Sequence, residues 1–280
     1  MKKTVLITGA TGYLGRIVTR DLIESKKYNV HILSEDINNS AALERHASSH
    51  SEIDVIIHMA ALVASHQGLE REVIQTNYTA TKDLARLYEK SHFIFLSSDY
   101  VFDGESDILR NVGDKKSPQT AYGVSKSLSE DFLLNEFGLD NITILRTSML
   151  YGYSNPKRNN FLKFLHDNLI SNNKVEVFKD VYSRPTHVKD LSSFILDVVD
   201  AGPSGIIHAS SREYVNRYEL SKIFCKIHGY STDYLIPIPQ PPDGRIPKKL
   251  NMNPSEIFIR QIQFSLEDGI KTCLRKFDDV

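Results

Sequence analysis

Thr4-Val5-Leu6-Ile7-Thr8-Gly9-Ala10-Thr11-Gly12-Tyr13-Leu14-Gly15 is the stretch whose reading decides the fold. Val5-Leu6-Ile7 is a continuous apolar run, the pattern of a strand buried on both faces. Glycines follow at once, and behind them Ile17, Leu22 and Ile23 recur with a helical period. A strand, a glycine-rich turn and a helix in that order give each glycine a job. One permits the tight turn, one lets backbone approach a pyrophosphate, and one lets the helix pack closely on the sheet, while the helix N-terminus offers oriented amides to an anion. The spacing is GxxGxxG rather than GxGxxG. Gly9, Thr11, Gly12, Tyr13, Leu14 and Gly15 are therefore the first candidate contacts for a dinucleotide.

The same alternation continues downstream. Val30-His31-Ile32-Leu33, Asp54-Val55-Ile56-Ile57, Phe93-Ile94-Phe95-Leu96 and Ile142-Thr143-Ile144-Leu145 read as further buried strands. Between them Ala80, Leu84 and Leu87, then Leu128, Phe132 and Leu133, mark helices. The expected fold class is α/β, a Rossmann-type doubly wound parallel sheet. After residue 150 the regularity loosens through Gly152, Asn155 and Pro156; helices are expected near Phe161 to Ile170, Val188 to Val199, Tyr218 to His228 and Leu266 to Phe277. Ile206-Ile207 reads as a strand, and Pro237 to Pro247 as a proline-rich connection. We expect a dinucleotide-binding domain over residues 1–150, completed by parts of 180–210. A smaller, discontinuous substrate lobe is expected over 151–280.

The chain has 280 residues, 41% hydrophobic and 25% charged, enough apolar material for a large core. Its 34 basic and 35 acidic residues leave a net charge of -1, so neither nucleic acid nor an anionic membrane is an expected partner. Cys225 and Cys273 lack metal-ligand spacing and read as buried free thiols, and no metal ligands are assigned. The apolar run after Met1-Lys2-Lys3 is broken at Gly12, too short for a secretory leader. No stretch is long and apolar enough to span a bilayer, and the cytoplasm is the expected location.

Small residues at Met59-Ala60-Ala61 would let a dinucleotide lie over the end of the third strand. At the end of the second strand Glu35, Asp36 and Ile37 would meet its ribose, where an acid favours a free hydroxyl, but Arg16 could meet a 2′-phosphate. NADP and NAD both stay open. Tyr122-Gly123-Val124-Ser125-Lys126 opens a helix, and a spacing of four places phenol and ammonium on one face. A free phenol with a pKa of about 10 is a poor proton shuttle, and a neighbouring ammonium should pull it down. Ser97-Ser98 ends the fourth strand, where the Ser98 hydroxyl could bond a reacting carbonyl oxygen. Hydride would reach a ketone carbon, Tyr122 would protonate the oxygen, and Lys126 would hold the cofactor ribose.

These residues, with Ser97-Ser98-Asp99-Tyr100-Val101-Phe102-Asp103-Gly104, Leu145-Arg146-Thr147-Ser148-Met149-Leu150-Tyr151-Gly152 and Arg184-Pro185-Thr186 leading to Asp190-Leu191, make the chain resemble the extended short-chain dehydrogenase/reductases. Within that superfamily it looks most like the dTDP-4-dehydrorhamnose reductase family, over nearly its full length. The resemblance implies catalytic roles for Ser98, Tyr122 and Lys126, with Asn77 and Ser97 beside the cofactor. It also implies a nucleotide-sugar substrate near Asp99, Val101, Met149, Asn160, Arg184 and Arg245. Arginines suit that task because a guanidinium can bind two phosphate oxygens at once. The family usually has Thr in place of Ser98 and Trp in place of Met149, and this chain contains no Trp. Dehydratases of the same fold need Asp then Glu after the strand-four hydroxyl, whereas Asp99 and Tyr100 stand here. Two alternatives remain, an epimerase and a cofactor-binding regulatory subunit like the methionine adenosyltransferase beta subunit, and a homodimer is left open as the assembly.

Overall fold

The computed structural model describes residues 2–50, 52–63, 68–153, 160–241 and 246–275. Asn155, Pro156, Arg245 and Phe277 lie outside the described residues. The chain begins β1 (Thr4–Thr8), α1 (Tyr13–Ser25), β2 (Asn29–Ile32), α2 (Ser40–Ser49), β3 (Val55–His58), α3 (Glu70–Ile74), α4 (Ala80–Leu87), β4 (His92–Ser98), α5 (Ala121–Phe137) and β5 (Ile142–Thr147). It continues through β6 (Leu150–Tyr151), α6 (Phe161–Leu169), β7 (Val175–Phe178), β8 (Tyr182–Ser183), β9 (Thr186–His187), α7 (Val188–Ala201) and β10 (Gly205–Ala209). Last come β11 (Val215–Asn216), α8 (Arg217–His228), β12 (Leu235–Ile238), α9 (Glu256–Ile259) and α10 (Leu266–Lys271). A π-helical turn, Gln75–Thr79, joins α3 to α4, and a 3-10 turn, Asp99–Val101, follows β4.

Two compact units share this chain. One comprises Met1–Phe102, Lys115–Arg146 and Ser192–Ile207; the other comprises Asp103–Asp114, Thr147–Leu191 and His208–Val280. The first is built on a six-stranded sheet in the order β10-β5-β4-β3-β1-β2, with β1 parallel to both β2 and β3, and β3 parallel to β4. This is a Rossmann-type doubly wound fold. The chain leaves β1 toward one edge and returns on its other side at β3, so the glycine turn sits at the switch point where such sheets open a crevice. Leu6, Ile56, Phe93, Phe95 and Ile144 fill the core on the way. The second unit has its own core around Tyr151, Leu165, Val175, Phe224 and Leu235. Among the described residues no helix is long and apolar enough to cross a membrane.

Three expectations need correction. β2 is not buried on both faces: it is the sheet edge, and Ile32 is 47% exposed. α5 does not bury the stripe marked by Leu128, Phe132 and Leu133. Leu128 is exposed, and the buried face carries Gly123, Ser125, Lys126, Ser129 and Glu130 beside Leu133. Small side chains let this face come close to its neighbours, and a methyl group on Gly123 would collide with the Tyr100 carbonyl oxygen. The proline-rich connection holds a strand, since β12 pairs in parallel with β7 through Pro237 opposite Val177. A two-stranded ladder tolerates a proline whose missing N–H faces away from its partner.

Gly9 has a φ of 71°, and a methyl group there would lie 2.6 Å from the Ala60 nitrogen. Gly15 is tighter still, because its methyl would strike the Gly9 carbonyl oxygen, which is backbone and cannot swing aside. Gly113 has nothing within 4 Å. Gly15→Ala is expected to lower unfolding stability by roughly 1–3 kcal/mol, as overpacking does. Gly113→Ala should stay within about 0.5 kcal/mol. Denaturant midpoints at unchanged slope would check both.

Candidate functional site

At the carboxyl end of β1 the turn closes with the Gly12 N–H donating to the Gly9 carbonyl at 2.9 Å. Gly12 is the N-cap of α1, no side chain caps the helix, and no acid stands in its first turn. Such a terminus suits an anion that brings its own oxygens. Thr11 is exposed, Tyr13 half-buried, and Leu14 lies in the core. After β3, Met59 and Ala60 are half-buried and Ala61 is exposed, with the Ala60 N–H donating to Thr8 Oγ1 at 3.2 Å. Past β2, Asp36 Oδ1 accepts from the Asn38 N–H at 3.0 Å and from its side-chain amide at 3.1 Å, with Ile37 half-buried beside it. A bond from its own backbone N–H holds the Glu35 carboxyl below the usual carboxylate range.

The candidate catalytic groups gather at the carboxyl end of β4 and the first turns of α5. Ser98 Oγ donates to Asp99 Oδ1 at 3.0 Å and accepts from the Tyr100 N–H at 3.2 Å, which opens the 3-10 turn. Thr120 caps α5 by accepting from the Gly123 N–H at 3.0 Å, and this fixes Tyr122 in the first helical turn. The half-buried Tyr122 has its phenol beside the Ser98 hydroxyl, which favours the ionised form, and its ring meets the Tyr100 ring edge-on at 5.8 Å. One turn on, Lys126 is 1% exposed. Its Nζ donates to the Leu96 carbonyl at 2.8 Å and lies 4.6 Å over the Phe95 ring and 5.8 Å from the centre of the Tyr122 ring. This is its one hydrogen bond among the described residues, and an ammonium has three donors. Val101 is fully buried and accepts the Ser117 N–H.

Asn77 sits in the π-helical turn, a local geometry that commonly marks functional positions. Its side chain accepts from the Leu62 N–H at 2.7 Å, donates to the Leu62 carbonyl at 3.0 Å, and donates to Ser125 Oγ at 3.0 Å. It thereby ties the loop after β3 to α5. Ser97 Oγ donates to Glu130 Oε1 at 2.6 Å, and the buried Arg146 reaches the same carboxylate from Nε at 3.0 Å and from its other arm at 2.8 Å.

The electrostatics correct one expectation. Burial raises the Tyr122 phenol well above its ordinary value, with Asp99 and Tyr100 adding to the effect and the Ser98 bond opposing it. A downward pull from Lys126 does not prevail, because burial costs the phenolate its solvation and the Asp99 carboxylate repels its charge. Burial instead lowers the Lys126 ammonium to about 7, against the attraction of Glu130.

The remaining candidates belong to the second unit. Met149 is half-buried against that unit's core, and its carbonyl accepts the Thr186 N–H at 2.8 Å. Asn160 caps α6, accepting from the Lys163 N–H at 2.8 Å. Arg184 donates from Nε to Asn251 Oδ1 at 2.8 Å and from its other nitrogen to the Arg212 carbonyl, while its guanidinium lies 5.5 Å over the Tyr214 ring. Asn251 is in turn held to the Asp107 carbonyl at 2.8 Å. Sequence reasoning passed over Asn251, Glu130, Thr81 and the role of His58. An acid on the buried face of α5 and a histidine in an all-apolar strand were the signals present.

Comparison with known proteins agrees with this architecture. Residues 1–258 match the family model described as the RmlD substrate binding domain. A dTDP-4-dehydrorhamnose reductase of Mycobacterium tuberculosis is 30% identical over 76% of this chain and 72% of its own. Methionine adenosyltransferase 2 subunit beta of Xenopus laevis is 29% identical over 89% of this chain and 79% of its own. Among solved structures, the dTDP-4-dehydrorhamnose reductase of Bacillus anthracis in complex with NADP superposes with a TM-score of 0.86 at 23% identity, covering 100% of this chain and 99% of that one. On the family match and the Mycobacterium relative, the chain belongs to the RmlD substrate binding domain family.

Proposed function

We propose that this protein is a nicotinamide-dinucleotide-dependent reductase of a keto group on a nucleotide-activated deoxysugar. The observation that carries the reading is the buried Lys126, its Nζ 5.8 Å from the ring of Tyr122 one helical turn before it, with the Ser98 hydroxyl beside that phenol, in the same unit as the glycine turn. The residues fit a dinucleotide: the uncapped α1 terminus suits the pyrophosphate, and the two remaining Lys126 donors suit ribose hydroxyls. When bound, NADPH or NADH supplies the hydride.

The protein's own groups do the rest. Tyr122 donates a hydrogen bond to the substrate's carbonyl oxygen, as does Ser98 once its proton turns from Asp99 to the substrate, and charge gathers on that oxygen as the carbon is reduced. The raised phenol keeps its proton at neutral pH until an alkoxide basic enough to take it has formed, and water then restores the proton. Lys126, anchored by the Leu96 carbonyl, orients the ribose and sets a positive charge beside the developing phenolate. Asn160, Met149 and Arg184 of the second unit are proposed to hold the nucleotide sugar. The fixed guanidinium of Arg184 suits a phosphate oxygen. Reduction is favoured over elimination because Asp99 is engaged by Ser98 and Tyr100 stands where a dehydratase would carry a glutamate. The family's usual Trp is Met149 here, so the substrate is proposed as a 4-keto-6-deoxy sugar nucleotide without a named sugar.

A second reading is a cofactor-binding regulatory subunit, favoured by the 29% identity to the methionine adenosyltransferase beta subunit. A panel of 4-keto-6-deoxy sugar nucleotides, followed by the absorbance of the reduced cofactor, separates the two. Turnover with at least one member is expected; none, together with tight co-purification with another enzyme, would favour the subunit. Tyr122→Phe should cut kcat by roughly 10²- to 10⁴-fold, the usual worth of a positioned acid. Dinucleotide affinity measured by titration should stay nearly unchanged, and unaltered turnover would remove Tyr122 from the mechanism.

A pH profile tests Lys126 separately. Its ammonium is lowered to about 7, so the charge is present below that pH and lost above it. kcat/KM for the dinucleotide, which reports the free enzyme, should decline as pH rises through the neutral range. Glu130→Gln removes the neighbour that holds the ammonium up and should move this limb to lower pH. A flat profile, or a limb displaced upward by the variant, would contradict the assignment.

A further inference from the structure

We propose that His58 is a positioning residue, held neutral with its proton on Nε2, that locks the strand bearing the glycine turn to the helical segments bearing Asn77, Tyr122 and Lys126. His58 ends β3, an otherwise apolar strand, and is fully buried. Its Nδ1 lies 2.7 Å from Thr8 Oγ1 and its Nε2 lies 2.8 Å from Thr81 Oγ1. On the Thr81 side the hydroxyl donates to the Asn77 carbonyl at 2.6 Å. A hydroxyl has one proton, and a carbonyl can only accept. Thr81 therefore has no proton to give the imidazole, and Nε2 must be the donor.

The rest of the chain of bonds follows from that one direction. With Nε2 protonated, neutral Nδ1 is an acceptor and takes the Thr8 proton, leaving a Thr8 lone pair for the Ala60 N–H at 3.2 Å. Every donor then meets one acceptor from Ala60 through Thr8, His58 and Thr81 to Asn77. An imidazolium would present an N–H to Thr8 as well, and among the described residues Thr8 Oγ1 has no second acceptor for its own proton. The surroundings agree. The ring stacks on Phe95 at 5.9 Å and tilts against Phe93 at 5.7 Å, and the charged group facing it is the Lys126 ammonium over the Phe95 ring. Burial and that ammonium both hold the imidazole down, to about 3.

Both ends of the chain matter to the site. Ala60 is the backbone against which Gly9 packs, so its position sets the floor of the glycine turn. The Asn77 carbonyl also accepts from Ser129 Oγ of α5 at 2.9 Å, and the Asn77 side chain holds Leu62 and Ser125. His58 touches neither proposed ligand. It fixes the distance between the strand that presents the pyrophosphate site and the helix that presents the proton donor.

The affinity part of this inference rests on the dinucleotide site of the proposed function; the part about the imidazole does not. With ¹⁵N-labelled histidine, the His58 resonances, assigned by their loss in His58→Gln, should show one protonated and one bare nitrogen, with the proton on Nε2, unchanged from pH 5 to 8. Titration in that range, or a proton on Nδ1, would overturn the proposal. Thr8→Val and Thr81→Val each cut one link, whereas Thr8→Ser and Thr81→Ser keep the hydroxyl. Each valine variant should weaken the dinucleotide Kd by roughly tenfold or more, as the loss of a buried bond does, and the serine variants should restore it. Equal affinity in valine and serine variants would refute the lock. The expected tautomer and affinity losses in a protein that reduces no sugar nucleotide would sink the reductase reading alone.

Discussion

The carboxylate of Glu130 is the constraint on which the first unit's arrangement depends. It has no exposure, yet Arg146 from the end of β5 grips both of its oxygens, Ser97 from β4 donates to one, and Lys116 lies 3.2 Å from the other. Three separate segments thus converge on one side chain of α5. Such a pair gains little net stability over a well-packed apolar substitute, because both charges must be stripped of water, but losing one partner costs roughly 3–5 kcal/mol. Its value here lies in register. With Glu130 pinned to β4 and β5, Lys126 one turn before it is directed to the Leu96 carbonyl, and Tyr122 one turn earlier meets Ser98.

That anchoring explains why α5 buries a polar face. A helix held only by apolar packing would turn Leu128 and Phe132 inward and carry the reactive pair to solvent. Small residues at Gly123, Ser125 and Ser129 allow the close approach instead, with the Ser125 hydroxyl on the Tyr122 carbonyl and the Ser129 hydroxyl shared between the Asn77 and Ser125 carbonyls. The result is a fully buried ammonium beside a half-buried phenol, where protonation follows desolvation more than mutual attraction. The phenol rises and the ammonium falls, opposite in direction and alike in cause.

Much of this was legible in the chain. Runs such as Val5-Leu6-Ile7 and Ile142-Thr143-Ile144-Leu145 report strands buried on both faces, and the glycines after β1 report a close backbone approach that Gly9 and Gly15 indeed make. The placing of Ser98 at the end of β4 and of Tyr122 and Lys126 one turn apart on α5 was readable from the strand and helix patterns. What escaped was set by tertiary pairing. The edge position of β2 depends on which strands follow, α2 buries only Ala42 and Leu43 and so has almost no periodic signal, and β12 hides behind Pro237. The His58 and Glu130 contacts escaped because their partners lie 14 to 50 residues away in sequence, where periodicity carries no information.

The central claim is that hydride passes to a sugar carbon while Tyr122 protonates its oxygen. Reduced cofactor carrying deuterium at the transferring carbon, incubated with a 4-keto-6-deoxy sugar nucleotide and read by proton NMR and mass spectrometry, tests this most directly. The account predicts one deuterium at C4 of the product, with the dinucleotide oxidised in equal amount. Sugar product without deuterium, or label washed in from solvent at a neighbouring carbon with the cofactor unconsumed, would contradict it.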